Sequence, residues 1–487
     1  GHRALSTSRI FEISPKSAII DCPHFKKCSG CIASEELTLT SVSNRARMVL
    51  EPILETPLEV KLTTDANGWR TQARLAAVSL GSGKSWIRGV SLGLYAAGSH
   101  DVIPIPDCVV HHPAINVASA LLIDACEKAG VRGGDDLRYV QFTIERRSGL
   151  VALSLVWNQM NAKASAPQLP RLIDLLWGKQ NKNSDTWHSI WVNYRGPAVG
   201  NAIFNFDPAR WTRLRGHQGD YVKETLFMDC ESLAQSAGLD SQLNLLFSPL
   251  NFRQANLHAF AQLVISLARY VPQGATVCEL YAGVGAIGLA LRPKLAELRS
   301  SDENPNNERP FELALRDQDA RLTEQYGPAS FLPLAAADAA TIDAPGANLL
   351  IVDPPRKGLD PQLLTDLVNM ASHFSALERI IYVSCGFDAF ERDLGALTLS
   401  QNAPWCLEHA EAHVFFPGSN HVETLAIFDR RKFQPSTKDH RRVSSISSKQ
   451  PQAPSSVKGL HSDDSKTNQR PRRRRRSTNN KKRKITS

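Results

Sequence analysis

Glu279-Leu280-Tyr281-Ala282-Gly283-Val284-Gly285-Ala286-Ile287-Gly288 closes a short apolar run that begins at Thr276 and opens a helical stretch. Glycines at such a junction let the backbone turn tightly and bring amide groups at a helix N-terminus close to a ligand. Taken alone, the segment reads as well as a dinucleotide fingerprint, or as a plain βα turn that uses Gly283 and Gly285 for conformation only. Its surroundings decide among these readings.

From about residue 240 the chain alternates strand and helix. Thr276–Leu280, Leu298–Ser301, Phe331–Leu334, Asn348–Val352 and Arg379–Ser384 are the short runs, with helical segments such as Asn304–Tyr326 and Pro361–Ser372 between them. This rhythm predicts a doubly wound sheet with ligands at the carboxyl ends of its strands. The second run ends in Asp302, a carboxylate suited to a ribose diol, and Asp338 after the third is placed to meet an adenine edge. Together with the glycine turn, these look like the S-adenosylmethionine site of a Rossmann-type methyltransferase.

The fourth run ends in Asp353-Pro354-Pro355-Arg356-Lys357-Gly358, where proline stops the ladder and holds Asp353 at the sheet edge. An acid before Pro-Pro suits amine methylation as well as contact with a nucleic-acid base. Cys385, ending Tyr382-Val383-Ser384-Cys385, separates the two. Carbon 5 of a pyrimidine is a poor nucleophile until a thiolate adds at carbon 6. A base must then take the carbon 5 proton, and Glu423 in His421-Val422-Glu423-Thr424 follows a predicted strand over Leu407–Phe416. Singly, a strand cysteine is packing and Glu423 a surface residue; the combination points to chemistry.

Upstream the texture differs. Trp69–Leu80 and Trp86–Ala96 flank Gly81-Ser82-Gly83-Lys84, Tyr139–Arg146 and Leu150–Trp157 flank Arg147-Ser148-Gly149, and Trp191–Arg195 and Asn201–Phe206 flank Gly196-Pro197. These read as three hairpins of a mixed, mostly antiparallel domain, interrupted by a helix over Ala114–Ala129 that Gly130 caps. A further helix is expected from about Glu35 to Leu54. Nine cysteines in 487 residues are too few for a disulfide scaffold. Cys22, Cys28 and Cys31 nevertheless cluster, and Cys108 joins them only if the fold brings it there.

These residues resemble the RNA uracil-C5 methyltransferase family, which makes 5-methyluridine in ribosomal and transfer RNA. The resemblance spans about residues 20–430. Phe247-Ser248-Pro249 and Phe252-Arg253-Gln254-Ala255-Asn256 look like the segment before the family's cofactor domain. It implies an α/β fold: a Rossmann-like class I methyltransferase domain at 240–430, with a Cys-cluster segment at 16–60 plus 108 and a mixed middle domain at 61–235. It also implies S-adenosylmethionine contacts by Gln254, Tyr281, Gly283, Gly285, Asp302, Asp338 and Asp353. Asp353 and Gln254 would hold the uracil, with Cys385 as nucleophile and Glu423 as base. Cys22, Cys28, Cys31 and Cys108 resemble the ligands of members that carry a [4Fe–4S] cluster, whereas spacing alone leaves zinc as a rival. Asn67–Arg74 and Gly93–His100 also look like hairpins of this family. Ala282 and Glu279 depart mildly from its pattern, while Ala286 replaces a position that is often polar and touches the cofactor, and is therefore left out of the site. Gly386-Phe387 stands where Asn-Pro is usual and makes the shape of the loop beside the nucleophile an open question. No OB-like barrel is expected before Cys22, which points to the barrel-less branch and to ribosomal RNA before transfer RNA. The rivals are another target atom, such as cytosine carbon 5, and an idle RNA-binding or assembly factor.

The net charge of +9 hides an asymmetry. From Arg430 onward stand 19 Lys/Arg and three Asp, net +16, which leaves residues 1–429 at −7. Residues 431–487 are expected to be a disordered basic tail able to bind nucleic acid. Residues 1–15, with Arg3, Arg9 and several Ser/Thr, are expected to be disordered and resemble the remnant of a transit peptide. A plastid or mitochondrion fits that terminus, and a nucleus fits the tail. No apolar run approaches the roughly 18 residues of a membrane span, and a monomer is expected.

Overall fold

The computed structural model describes residues 18–431, apart from 80–88, 162–166, 179–184, 196–202, 205, 218, 322–325 and 400–402. Residues 1–432 form one compact unit, and Phe433–Ser487 make a second, which lies outside the described residues, as do the expectations for 1–15 and the tail. No described helix is long and apolar enough to cross a membrane.

The amino-terminal part contains α1 (Ser41–Leu54), shorter than the expected Glu35–Leu54 because the Thr40 side chain accepts from the Ser43 amide and fixes its start. It is followed by β1 (Glu59–Lys61). The middle sheet has seven strands: β2 (Gln72–Val78), β3 (Ser91–Tyr95), β4 (Val102–Pro104), β5 (Leu137–Ile144), β6 (Val151–Trp157), β7 (Trp187–Tyr194) and β8 (Trp211–Gly216). Their order is β4-β3-β2-β5-β6-β7-β8. The first two expected hairpins are present as antiparallel pairs β2–β3 and β5–β6. The turn of the first, Gly81-Ser82-Gly83-Lys84, lies outside the described residues. The third expectation needs correction. β7 pairs with β8, which begins only at Trp211, after a short 3-10 turn at Pro208–Arg210. The Gly196-Pro197 turn itself is outside the described residues. β6 and β7 run parallel, joined through α3 (Gln168–Trp177). The other helix here, α2 (Pro113–Ala129), ends at Gly130 with φ +74°, the left-handed cap that glycine adopts without steric cost.

A two-stranded ribbon of β9 (Val222–Thr225) and β10 (Asn244–Phe247), α4 (Glu231–Ser236) and α5 (Leu257–Leu267) lead into the large sheet. Its later strands are β11 (Ala275–Leu280), β12 (Leu295–Ser301), β13 (Ala329–Leu332), β14 (Leu349–Val352), β15 (Arg379–Ser384), β16 (Trp405–His413) and β17 (Glu423–Arg430). The helices between them are α6 (Ala286–Leu291), α7 (Glu308–Arg321), α8 (Ala336–Asp343), α9 (Pro361–Val368) and α10 (Phe387–Thr398). The spatial order is β1-β16-β17-β15-β14-β11-β12-β13. β11 to β15 are parallel, whereas β17 is antiparallel to both β15 and β16. Two apolar layers cover the sheet faces. One includes Val277, Leu349 and Ile381, and the other Cys278, Leu350 and Ile380, in the alternation that side chains on a strand impose.

The chain reverses direction across the sheet between β11 and β14, so the carboxyl end of β11 is the topological switch point where ligands bind in such sheets. The antiparallel β17 matters equally. Its first residue, Glu423, lies at the carboxyl end of β15, because Ser384 pairs with Thr424. Glu423 thus begins a strand instead of ending one, and the antiparallel direction brings it beside Cys385.

Candidate active site

At the tip of β11 the turn is built as its glycines require. Gly283 and Gly285 have φ +58° and +81°. A Cβ at Gly285 would lie 2.3 Å from the Phe311 ring, and one at Gly288 would lie 2.3 Å from Glu279 Oε2. Gly283 meets nothing within 4 Å on that side, a cradle open to a ligand. Its amide donates to Asp302 Oδ2 at 2.9 Å, while Asp302 Oδ1 accepts from the Asn304 amide and Asn307 Nδ2. Tyr281 itself has φ +61°, a costly conformation for a non-glycine residue that clusters at functional sites. Its hydroxyl accepts from the Asp360 amide at 3.0 Å and so ties the turn to the start of α9.

Beneath the turn, Glu279 is buried and accepts from the Gly288 amide at 2.9 Å and Ser300 Oγ at 2.6 Å. Burial pushes its carboxyl up to about 7, against those two hydrogen bonds. Asp353 behaves alike: burial first, then the Glu279 and Asp302 charges, push it up to about 7.

Beyond Asp353 the reacting groups converge. Burial raises the Cys385 thiol to about 12, the Glu423 and Asp353 charges push the same way, and Arg356 pulls it down. Glu423, 3% exposed, is raised well above the usual carboxylate range by burial and by Asp353, again opposed by Arg356. A thiol, two carboxyls and one guanidinium therefore sense one another. Cys385 and Arg356 open onto a depression of about 480 Å³ bounded also by Arg45, Asn420 and His421.

The loop departure at Gly386-Phe387 has a steric reason. A Cβ at Gly386 would come within 2.6 Å of the Arg356 carbonyl oxygen, so only glycine lets the Cys385 loop pack on the Asp353–Arg356 turn. Phe387 is buried at the start of α10, against Phe390 and beneath the Arg45 guanidinium.

Tyr281, Gly283, Gly285, Asp302 and Asp353 thus share the switch-point edge, with Cys385 and Glu423 beside it. Gln254 is half-buried on the loop after β10, two residues before Asn256, whose Nδ2 donates to the Phe415 carbonyl at 2.8 Å. Asp338 is exposed in the first turn of α8. Arg356 is the site residue to which sequence reasoning assigned no role, although it stands in the Asp-Pro-Pro-Arg motif itself.

Cys22, Cys28, Cys31 and Cys108 line one cavity of about 170 Å³, so the fold does bring Cys108 to the cluster. Among the described residues no group of three or more His, Cys, Asp or Glu side chains is arranged around a single metal ion. The Gly30 amide donates to Cys28 Sγ at 3.2 Å.

No protein-family model matches the chain. It is 32% identical over 431 residues to an uncharacterized RNA methyltransferase of Protochlamydia amoebophila, across 86% of this chain and 100% of that protein. The chain belongs to this family of RNA methyltransferases. Among further relatives, it is 26% identical over 429 residues to the 23S rRNA (uracil(1939)-C(5))-methyltransferase RlmD of Chromohalobacter salexigens, covering 86% of this chain and 77% of that one. In fold, it is similar to the Pyrococcus abyssi tRNA (uracil-54, C5)-methyltransferase solved with S-adenosyl-L-homocysteine, with a TM-score of 0.56 and 18% identity over 82% of this chain and 87% of that one. The class I methyltransferase fold that the resemblance implied is thereby borne out.

Proposed function

We infer that this RNA methyltransferase forms 5-methyluridine, in ribosomal RNA before transfer RNA, through a covalent bond from Cys385 to uracil carbon 6. The convergence of Cys385, Glu423 and Asp353 at the switch-point edge carries the reading. S-adenosylmethionine supplies an electrophilic methyl group when bound over the open Gly283 cradle, with Tyr281 and Gly285 shaping the turn, Asp302 toward the ribose and Asp338 toward the adenine.

The Cys385 thiol loses its proton to solvent, aided by Arg356, and the sulfur bonds to carbon 6. The electron pair displaced to carbon 5 takes the methyl group. Ionised Glu423 then removes the carbon 5 proton, the carbon 6–sulfur bond breaks, and the thiolate returns. Asp353 and Gln254 hold the polar edge of the base. Because burial raises both Cys385 and Glu423, the reaction is favoured as pH rises and the pair loses its protons.

RNA carrying 5-fluorouridine tests this, since fluorine cannot leave as a cation. With S-adenosylmethionine, the wild type should give a denaturation-resistant protein–RNA adduct and Cys385→Ala none. An adduct that survives in Cys385→Ala, or its absence in cofactor-binding wild type given ribosomal and transfer RNA, rejects the reading.

We further infer that Cys22, Cys28, Cys31 and Cys108 hold a [4Fe–4S] cluster. Zinc–sulfur bonds of about 2.3 Å set thiolates roughly 3.8 Å apart around one ion, whereas an iron–sulfur cube holds them further apart. Four thiols lining one cavity, in the pattern that resembles the cluster-bearing members of the family, support the cube. Iron and sulfide in equal amount after anaerobic reconstitution support it; zinc retained in their place overturns it.

A further inference from the structure

The strap from Phe415 to Val422, between β16 and β17, leads to Glu423 and is anchored at its start by Asn256 and at its middle by the cysteine segment. The Gly418 carbonyl accepts from the amides of Ile32 at 2.7 Å and Ala33 at 3.1 Å. Gly418 has φ +86°, and a Cβ there would lie 2.5 Å from Ile20 and 3.3 Å from Cys31 Sγ. On its other side, Asn420 Oδ1 accepts from Ser41 Oγ and the Val42 amide.

Arg70 joins the two regions. Its guanidinium lies over the Trp69 ring at 4.6 Å and the Phe416 ring at 5.7 Å, and it lines the four-thiol cavity. No carboxylate of a described residue pairs with it; the titratable groups beside it are the Cys31 and Cys108 thiols and His111. Phe416 packs on Trp69 at 5.7 Å and edge-on to His421 at 6.5 Å, two residues before Glu423. An unpaired guanidinium held against aromatic faces is strongly attracted to nearby negative charge, and four cluster-bound thiolates supply it.

We propose that Arg70 is a positioning residue that latches the Phe415–Val422 strap, and through it Glu423, to the four-cysteine site. The proposal rests on the cluster and the uridine chemistry inferred above, and it assigns the cysteine segment a part in holding the base-bearing strand start. Only Gly418 permits the close approach, and only a planar cation both stacks on Phe416 and faces the thiols.

Hydrogen exchange on the full, iron-loaded chain reads the latch without reading activity. Amides of residues 414–423 should exchange at least tenfold faster in Arg70→Gln than in wild type, with 275–280 in β11 unchanged. Arg70→Lys, which keeps the charge but loses the planar stack, should retain iron while still loosening the strap. Chelating iron from the wild type should release the same peptide, a comparison that survives any folding defect in the variants. The rate of 5-fluorouridine adduct formation should fall about tenfold in Arg70→Gln while cofactor affinity stays within twofold. Strap exchange indifferent to both Arg70→Gln and chelation overturns the latch. Faster strap exchange in a protein whose wild type forms no adduct keeps the latch and defeats the uridine chemistry instead.

Discussion

At Glu423, position and chemistry work against each other. Its carboxyl is buried beside Asp353, which favours the protonated form, yet the proposed reaction needs it ionised. Burial likewise favours the protonated form of the Cys385 thiol, so methyl transfer should accelerate as pH rises from 6 to 9, measured in single-turnover experiments. Removing the base while keeping its shape separates the two halves of the chemistry. Glu423→Gln should methylate carbon 5 and then stall, so ordinary uridine RNA should accumulate as a covalent methylated adduct on denaturing gels. Free, methylated RNA released at the wild-type rate would remove Glu423 from the mechanism. Asp353 illustrates the cost of such a site. Its folded value, about 7, lies above the unfolded 3.8, so the folded chain holds the proton more tightly and stability falls as pH rises between those values. Asp353→Asn should therefore gain on the order of 1 kcal/mol at pH 8, after discounting for solvent at this half-buried group, and nothing at pH 3.5. Denaturant titration at both pH values checks the sign. Function should be lost in the same variant, because the uracil edge loses its acid.

Elements were legible in the sequence to the extent that their cause is local. β11 to β15 coincide with the predicted runs within three residues, since short apolar stretches between helical patterns announce parallel strands. The glycine turn, Asp302 and Asp353 followed because each ends such a strand. What could not be read was pairing between distant segments. Nothing near Trp191 specifies that β7 runs parallel to β6, or that its other neighbour begins at Trp211. Similarly, the strand order that puts β17 between β15 and β16, and Glu423 beside Cys385, arises from long-range packing. β1 is the extreme case: three residues, unremarkable in sequence, that pair with β16. Their anchor is Lys61 Nζ, 2.8 Å from Glu411 Oε2, with both side chains almost fully buried. Burial opposes ionisation of Glu411, but nearby His409, the hydrogen bond with His413 and the Lys61 charge overcome it and hold the carboxyl below its usual range. Removing one partner of a buried pair strands the other, so Lys61→Met should destabilise the chain by about 3 kcal/mol. A change in urea-unfolding free energy below 1 kcal/mol would mean that His413 suffices to hold Glu411.

Across the whole molecule, charge is partitioned: residues 1–429 carry −7 and the remainder +16. An acidic body has little long-range attraction for a polyanion, so in the proposed reaction the catalytic edge depends on local groups such as Arg356 to receive RNA. The role we propose for the basic segment is attraction at a distance, by releasing counterions from phosphates without reading sequence. Two consequences separate this role from a structural one. Ending the chain at Lys432 should leave Tm within about 2 °C, because residues 1–432 form a compact unit of their own. RNA affinity at low salt should fall by at least tenfold, and the dependence of log affinity on log salt should flatten by several units, since each phosphate neutralised contributes roughly 0.7 to 0.9. At high salt full-length and shortened chains should converge, while the first-order rate of methyl transfer from the bound state stays the same, because Cys385 and Glu423 are held by the body alone. Binding curves at 50 and 300 mM salt, paired with single-turnover rates, decide it. A shortened chain whose bound-state rate fell as far as its affinity would place the basic segment at the reacting base, not on the approach to it.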